Sequence, residues 1–177
     1  DIDLVVIHCT ELPDLAMARE YGERVLYDSG TGNSGHFYID RDGSIHQYVD
    51  IARIAHHVRG HNPRSVGIEL VNQGYYQTPA GRYWQPFSPQ QIDTLIVLLK
   101  DIVQRHQLPL GSIIAHSDVA PQRKVDPGPL FPWKRLADAG LIRWPDAAAV
   151  GPRIVEPDGS NYPSARSVPN ISTGIGH

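Results

Sequence analysis

The sequence predicts an α/β fold in which a central mixed β-sheet is flanked by helices. Two observations support this prediction. Short apolar runs rich in β-branched residues alternate along the chain with segments of helical periodicity, and one pair of strand-like runs is joined by a tight-turn signal. With 41% hydrophobic and 20% charged residues, the 177-residue chain has an ordinary globular composition.

The chain opens with a predicted strand and a predicted helix. The apolar run over residues 4–7 is short and β-branched, which is typical of a buried strand, and it leads directly into His8. A loosely helical pattern follows over residues 12–27. Residues 29–35 are rich in Gly, Ser and Asn and therefore predict a loop.

A β-hairpin is predicted next. Residues 36–39 and 44–49 are strand-like runs that flank the dipeptide Asp42-Gly43. Glycine at that position supplies the positive φ angle that a tight turn requires. The two runs are therefore expected to pair antiparallel.

A further buried strand is predicted over residues 66–71, and it contains one charged residue, Glu69. Because side chains alternate along a strand, one face carries three apolar residues and the other carries Gly67, Glu69 and Val71. Gly67 leaves room on that second face, which is consistent with a cleft.

The strongest helix signal follows Ser88. Ser88 is a suitable N-cap, Pro89 suits the first helical position, and Gln91 has the spacing to close a capping box. Apolar residues then recur at helical spacing and predict one buried face. They are Ile92, Leu95, Ile96, Leu99, Ile102 and Val103.

The last predicted elements are a short strand over residues 112–115, which leads into His116, and a helix over residues 132–139 that ends at Gly140. Residues 1–146 are predicted to form one domain. Residues 147–177 are rich in Pro, Gly and Ser and show no periodicity, so an irregular tail is expected there.

Charge and hydropathy exclude several classes of function. Lys and Arg total 16 against 19 Asp and Glu, so the chain lacks the basic surplus that attracts nucleic acid or anionic membranes. No apolar run approaches the roughly 20 residues that span a bilayer. The single cysteine, Cys9, cannot form an internal disulfide and is typical of a small buried hydrophobe. The sequence carries no signal for an oligomeric state.

Two strands end on a histidine, and an aspartate follows the second of them. His8, His116 and Asp126 together offer two imidazoles and one carboxylate. Catalytic zinc prefers three protein ligands of this kind and keeps a fourth position open. The spacing alone also allows two hydrogen-bonded core histidines with no metal.

Lys124 precedes Asp126 by two residues. Pro127 favours an extended conformation for Asp126, and residues two apart in an extended chain face the same side. Lys124 is therefore expected beside the predicted metal site, where an ammonium group stabilises a developing oxyanion. An ordinary surface ion pair is the alternative.

Glu69 has two interpretations. It either lies on the solvent face of an edge strand or is buried, in which case its pKa should be raised. A buried carboxylate with a raised pKa beside a metal is a general base suited to neutral pH.

Several segments resemble the zinc-dependent N-acetylmuramoyl-L-alanine amidases, the family that includes AmpD, AmiD, phage amidases and peptidoglycan recognition proteins. The resemblance covers residues 3–146, is most specific in its last long block, and is greatest to the AmiD type, a bacterial envelope amidase. The segments that carry it are residues 6–10, 62–70, 115–129, 86–87, 130–133 and 144–146.

The resemblance implies an amidase fold related to that of the recognition proteins, and a role for each matching residue. The zinc ligands would be His8, His116 and Asp126, with Glu69 and Lys124 as catalytic residues. His57 and Asn62 match positions in the substrate groove of the family.

Two positions depart from the family pattern. Many phage and recognition-protein members carry a catalytic tyrosine immediately before the residue that is His36 here, whereas this chain has Gly35. The chain therefore resembles the glutamate-dependent branch. His56 replaces the tryptophan that usually precedes the residue matching His57.

The implied activity is hydrolysis of the amide between the lactyl group of N-acetylmuramic acid and L-alanine, in peptidoglycan or in muropeptides. Two alternatives stay open at this point, namely a peptidoglycan-binding module without catalysis and a zinc peptidase that cuts within the stem peptide. The likeness to AmiD implies a periplasmic location, although AmpD-type relatives work in the cytoplasm.

Overall fold

The computed structural model describes residues 1–24 and 32–145. Its strands are β1 (Leu4–Cys9), β2 (Phe37–Ile39), β3 (Ile45–Gln47), β4 (Ser65–Leu70), β5 (Tyr75–Thr78), β6 (Gly81–Trp84) and β7 (Ile113–Ala115). Its helices are α1 (Leu15–Glu23), α2 (Pro89–His106), α3 (His116–Val119) and α4 (Trp133–Asp138), and a single 3-10 turn spans Asn62–Arg64.

Five strands form the predicted mixed sheet, in the order β3-β2-β4-β1-β7. Four neighbouring strands, β2, β4, β1 and β7, run parallel. The edge strand β3 pairs antiparallel with β2 through the predicted hairpin. The turn glycine, Gly43, has a φ of +87°. A Cβ atom there would lie 2.9 Å from the carbonyl oxygen of Gln90, so glycine also allows the hairpin to pack against the start of α2.

The hydrophobic core lies between the sheet and α2. Ile7 of β1 and Ile68 of β4 belong to one buried cluster with the apolar face of α2, including Leu95 and Leu99. The predicted alternation in β4 is confirmed, because Val66, Ile68 and Leu70 all face this cluster. The other face of β4 is therefore free to carry polar side chains.

Two helix boundaries show how local hydrogen bonds refine the sequence pattern. Helix α1 begins at Leu15, later than the predicted residue 12, because the Asp14 side chain accepts a hydrogen bond from the Met17 N–H and caps the helix there. Helix α2 begins at Pro89 as predicted, with Ser88 accepting from the Gln91 N–H.

The capping box expected at α2 forms only in part. Ser88 accepts from the Gln91 N–H, but the Gln91 side chain does not return to the backbone N–H of Ser88. The Gln91 side chain is buried and turns toward the sheet, where its Nε2 donates to the carbonyl oxygens of Ile39 and Val71. These carbonyls lie at and just past the ends of β2 and β4. Buried backbone acceptors need partners, and this need outweighs the local cap.

A second hairpin, formed by β5 and β6, was not predicted from the sequence. Its paired rings are aromatic, with Tyr75 opposite Trp84 and Tyr76 opposite Tyr83. Aromatic pairs on both sides of Ala80-Gly81, Tyr75-Tyr76 before it and Tyr83-Trp84 after it, are the signal that indicates this hairpin in retrospect.

The predicted tail over residues 147–177 lies outside the described residues, as does the end of the helical pattern predicted to reach residue 27. The domain limits of 1–146 stay a prediction. Within residues 1–24 and 32–145, no helix combines the length and the apolar character that crossing a membrane requires.

Candidate active site

The carboxyl edge of the sheet brings the two predicted histidines together. β1 and β7 are parallel neighbours, with Ile7 paired to Ala115. His8 is the next residue of β1, and His116 follows the end of β7 as the first residue of α3. Their ring centroids are 4.6 Å apart.

Asp126 completes the cluster. Its Oδ2 lies 2.9 Å from Nδ1 of His8, and its carboxylate lies 3.2 Å from Nδ1 of His116. One ligand atom from each residue lies within 4.8 Å of the other two, and all three side chains are buried. Two imidazole nitrogens and one carboxylate oxygen at this spacing fit Zn²⁺ with a fourth position left open.

The protonation states in this cluster suit metal binding. Burial lowers the pKa of His8, which favours the neutral imidazole that a metal requires. Burial alone would raise the pKa of Asp126, but the neighbouring imidazoles of His116 and His8 hold the pKa below its ordinary value. Asp126 is therefore a carboxylate at neutral pH.

Backbone hydrogen bonds fix the segment that carries His116 and Asp126. The Asp118 carboxylate accepts from the Ala115 N–H at 2.8 Å, which closes the turn from β7 into α3. The Ser117 N–H donates to the Asp126 carbonyl at 3.1 Å. Asp118 thus has a structural role, since it holds the turn on which His116 is placed.

Glu69 lies beside this cluster on the adjacent strand. In the parallel pairing of β1 and β4, Glu69 is opposite His8, and it is only 9% exposed. Among the described residues its Oε2 atom has no hydrogen-bond partner. Burial raises the pKa of Glu69 to about 8, with Asp126 and Glu11 adding to the rise. Of the two interpretations offered by the sequence, the structure supports the one in which Glu69 is buried.

Lys124 is half-buried and lies near the same group of acids. Its positive charge lowers the pKa of Glu69 and the pKa of Glu11, partly offsetting their burial. Its backbone N–H donates to the Ala120 carbonyl at 2.9 Å, which fixes the turn that leads to Asp126. The ammonium group therefore adds positive charge at the site, as predicted from its spacing to Asp126.

Glu11 is a site residue that the sequence analysis missed. It follows β1 by two residues with a φ of +55°, and burial raises its pKa, with Asp126 adding to the rise. Its side chain lies against Gly74, where a Cβ atom would be 3.4 Å from Cγ of Glu11. The signal was available, because an acid shortly after a strand that ends in a histidine lies at the same sheet edge.

His57 contacts the cluster through His8, and Asn62 contacts the backbone of His57. His57 is buried, with Nδ1 2.9 Å from Nε2 of His8 and Nε2 3.1 Å from Oγ of Ser65. The Asn62 side-chain oxygen accepts from the backbone N–H groups of His57 and Val58, and so fixes the loop that positions His57. Both nitrogens of His57 already have protein partners. The substrate-binding roles of His57 and Asn62 stay predictions.

Two glycines make this packing possible. A Cβ atom on Gly67 would lie 2.5 Å from the ring of His57, so the room that Gly67 leaves is filled by that imidazole. A Cβ atom on Gly35 would lie 3.0 Å from Cγ of Glu69. Glycine at position 35 therefore lets the backbone approach the side chain of Glu69 closely.

The edge of this mixed sheet thus brings together two histidines and an aspartate, the donor set of a metal site, and beside them a buried carboxylate that can accept a proton. The family model of N-acetylmuramoyl-L-alanine amidases matches residues 1–129. The chain belongs to this family.

The relatives agree in sequence and in fold. AmiD of Escherichia coli is 51% identical over 89 residues, which cover 50% of this chain and 32% of AmiD. AmpD of Haemophilus influenzae, a 1,6-anhydro-N-acetylmuramyl-L-alanine amidase, is 30% identical over 161 residues, or 76% of this chain and 80% of AmpD.

A solved structure of E. coli AmiD, in complex with the substrate anhydro-N-acetylmuramic acid-L-Ala-D-γ-Glu-L-Lys, matches this chain with a TM-score of 0.75 and 35% identity. The match covers 84% of this chain and 61% of that AmiD chain. The predicted amidase fold is confirmed. By sequence, the chain spans about a third of the length of the curated AmiD relative.

Proposed function

We propose that this chain hydrolyses the amide bond between the lactyl group of N-acetylmuramic acid and L-alanine, in peptidoglycan or in muropeptides. The observation that carries the proposal is the convergence of His8, His116 and Asp126 with the buried Glu69, whose Oε2 has no hydrogen-bond partner among the described residues, at the same sheet edge. The names of the relatives and the muropeptide bound to AmiD support this substrate class.

Zinc dependence is part of the proposal. The nitrogens of His8 and His116 and the carboxylate of Asp126 would hold Zn²⁺, which acts as a Lewis acid toward the amide carbonyl and toward water. This donor set, buried and with a fourth coordination position available, fits that ion.

Glu69 would move the proton. Its Oε2 atom, which lacks a partner among the described residues, accepts a proton from water as the new carbon–oxygen bond forms. The same carboxyl then returns this proton to the L-alanine nitrogen as the carbon–nitrogen bond breaks. Burial raises the pKa of Glu69 in the metal-free chain, so this carboxyl is suited to hold the proton between the two steps.

Lys124 would stabilise charge. The attack of water places negative charge on the former carbonyl oxygen, and the ammonium group at this site is the nearby cation whose effect on Glu69 and Glu11 is already evident. A fixed donor at a developing oxyanion typically contributes about 100-fold or more to the rate.

The test combines zinc analysis with product analysis. The purified chain is stripped with a chelator, reloaded with zinc, and incubated in heavy-oxygen water with anhydro-N-acetylmuramic acid-L-Ala-D-γ-Glu-L-Lys. Zinc-dependent release of the intact tripeptide, with heavy oxygen in the sugar fragment, is the expected result.

The alternatives give different products. A peptidase would leave a shortened stem on the sugar, with heavy oxygen in the new carboxylate of that stem, and would release a peptide shorter than the tripeptide. A binding module would retain the muropeptide without releasing any product, before and after zinc is added. Either result would overturn the proposed reaction.

A role in cell-wall degradation or recycling and a location in the periplasm stay predictions from the sequence resemblance. Comparing turnover of intact peptidoglycan sacculi with that of soluble anhydro-muropeptides would separate the two substrate forms.

A further inference from the structure

A chain of buried hydrogen-bonding groups runs from His8 into the protein interior. Nε2 of His8 lies 2.9 Å from Nδ1 of His57, Nε2 of His57 lies 3.1 Å from Oγ of Ser65, and Oγ of Ser65 donates to the His61 carbonyl at 2.8 Å. The side chains of His8, His57 and Ser65 are all buried.

The last member fixes the direction of the whole chain. A backbone carbonyl accepts only, so the single hydroxyl proton of Ser65 is donated to His61. The oxygen of Ser65 must then accept from the Nε2–H of His57. A neutral imidazole has only one N–H, so Nδ1 of His57 accepts from the Nε2–H of His8.

The surroundings of His57 keep it neutral. Its ring is buried against Gly67 and faces two other imidazoles, with centroid distances of 5.1 Å to His8 and 5.9 Å to His36. Ser65 supplies a neutral hydroxyl. No carboxylate in the described residues forms a hydrogen bond or ion pair with His57, so a charged ring would be both desolvated and repelled.

This direction has a consequence at the site. If the proton of His8 is on Nε2, its Nδ1 presents a lone pair to the Asp126 oxygen 2.9 Å away. Two acceptors at that distance repel each other unless a cation, either a metal ion or a proton, lies between them.

We propose that His57 and Ser65 form a positioning relay, anchored on the His61 carbonyl, which holds His8 in the tautomer with its proton on Nε2 and its Nδ1 lone pair toward the metal position. The inference rests on the metal site of the proposed function and not on the reaction carried out there. Outer partners of this kind typically contribute 10- to 100-fold to metal affinity.

His36 serves as an internal reference for the relay. Its Nδ1 accepts from the Gly67 N–H at 3.0 Å and its Nε2 lies 3.0 Å from the Arg53 carbonyl. A backbone N–H only donates and a carbonyl only accepts, so the tautomer of His36 is fixed with the proton on Nε2.

The first experiment determines the tautomers by NMR on protein with ¹⁵N-labelled imidazoles. In the zinc-loaded chain, His8, His36 and His57 should all carry their proton on Nε2. In the chelated chain, His57 and His36 should keep that tautomer. A proton on Nδ1 of His57 in either state would overturn the relay.

The second experiment measures zinc affinity by chelator competition in Ser65→Ala. Removing the hydroxyl leaves Nε2 of His57 without its acceptor, and the zinc dissociation constant should rise by roughly 10- to 100-fold. Ser65→Thr, which keeps a hydroxyl, should recover most of the loss.

Ser112→Ala is the matched control. Ser112 is a buried serine that donates to the Pro109 carbonyl at 2.8 Å and forms no hydrogen bond to an imidazole in the described part of the chain, so its loss should leave zinc affinity and the His57 tautomer unchanged. Equal zinc affinity in Ser65→Ala and Ser112→Ala would overturn the relay.

The outcomes separate this inference from the proposed function. A chain that binds zinc with the expected tautomers but releases no tripeptide would refute the amidase reaction and leave the relay intact. A chain that cleaves the muropeptide with His57 protonated on Nδ1 would refute the relay and support the amidase reaction.

Discussion

The two faces of the central sheet bury different kinds of side chain. On the α2 face, Val66, Ile68 and Leu70 of β4 pack into the apolar cluster, and the neutral amide of the buried Gln91 donates to two backbone carbonyls, while its Oε1 has no partner among the described residues. On the other face, the neighbouring position Glu69 is buried with an oxygen that has no partner among the described residues. The first arrangement stabilises the fold, whereas the second leaves a carboxylate available for chemistry.

The largest effect is expected from a substitution on the face of the sheet that carries Glu69. Replacing Glu69 by Gln removes the proton acceptor while keeping the side-chain shape, and kcat should fall by about 1,000-fold, equivalent to roughly 4 kcal/mol. Zinc content should not change, because Glu69 is not among the converging ligands. Muropeptide turnover and elemental analysis on the same sample provide the measurement.

Glu11→Gln is the control for that variant. Glu11 is a second carboxyl with a raised pKa near Asp126, but it lies outside the sheet and is more exposed. Its loss should have a much smaller effect on kcat than the loss of Glu69. Equal losses would mean that the two acids share one role.

The next largest effect is expected from a substitution on the opposite face, where the sheet packs against α2. Leu95 is fully buried in the apolar cluster of α2, so Leu95→Ala should lower the free energy of unfolding by about 3 kcal/mol. Below the melting transition, zinc affinity and kcat should be retained, because the cavity lies on the far side of the sheet. Thermal melts followed by turnover assays at low temperature would reveal any unexpected coupling between the faces.

Removing the positive charge of Lys124 from the candidate site should have a somewhat smaller effect. Lys124→Met keeps most of the side-chain length, and kcat should fall by about 100-fold, equivalent to roughly 2.7 kcal/mol. Lys124→Arg should retain part of the activity. A change in zinc affinity with unchanged kcat would instead assign Lys124 to metal binding.

The smallest effect concerns stability and pH in the chelated protein. The pKa of Glu69 is raised from 4.5 to about 8 in the folded state, so folding favours the protonated form. Its contribution to stability is fully present below pH 4.5 and is lost progressively as the pH rises to about 8.

Glu69→Gln should therefore be more stable than the unsubstituted chain at pH 8.5, by at least about 1 kcal/mol. The difference should vanish at pH 4. Comparing the two proteins isolates Glu69, since His8 and Glu11 titrate in both. Denaturant unfolding curves at several pH values would measure the free energy of unfolding of both proteins. If that free energy varied with pH in the same way in both, ionisation of Glu69 would not destabilise the fold, and the prediction would be wrong.

The sequence could predict that the side chains of the candidate ligands would converge because the fold places strand ends together. His8 and His116 each follow an apolar run, and parallel neighbouring strands end at the same sheet edge. Asp126 was predicted because it follows His116 closely in the sequence and matches a ligand position of the resembled family. The apolar stripe of α2 was likewise visible in the sequence, since burial of one helix face leaves a regular pattern.

Other features depend on partners that sequence spacing does not reveal. Gln91 fits a local capping pattern, yet it bonds carbonyls that only the folded sheet brings within reach. His57 contacts His8 across 49 positions of the chain, and nothing near either residue indicates that contact. Gly67 was predicted to leave space, but only the structure shows that His57 fills it.

The pairing of β1 with β4 also sets the spacing within the candidate site. His8 and Glu69 are opposite each other in a parallel ladder, whose strands lie about 4.8 Å apart in any β-sheet. The backbone separation of the proposed metal ligand from the proposed proton acceptor is thus fixed by the hydrogen bonds between two adjacent strands. Variation in the surrounding loops can change which substrate is held there while leaving that separation intact.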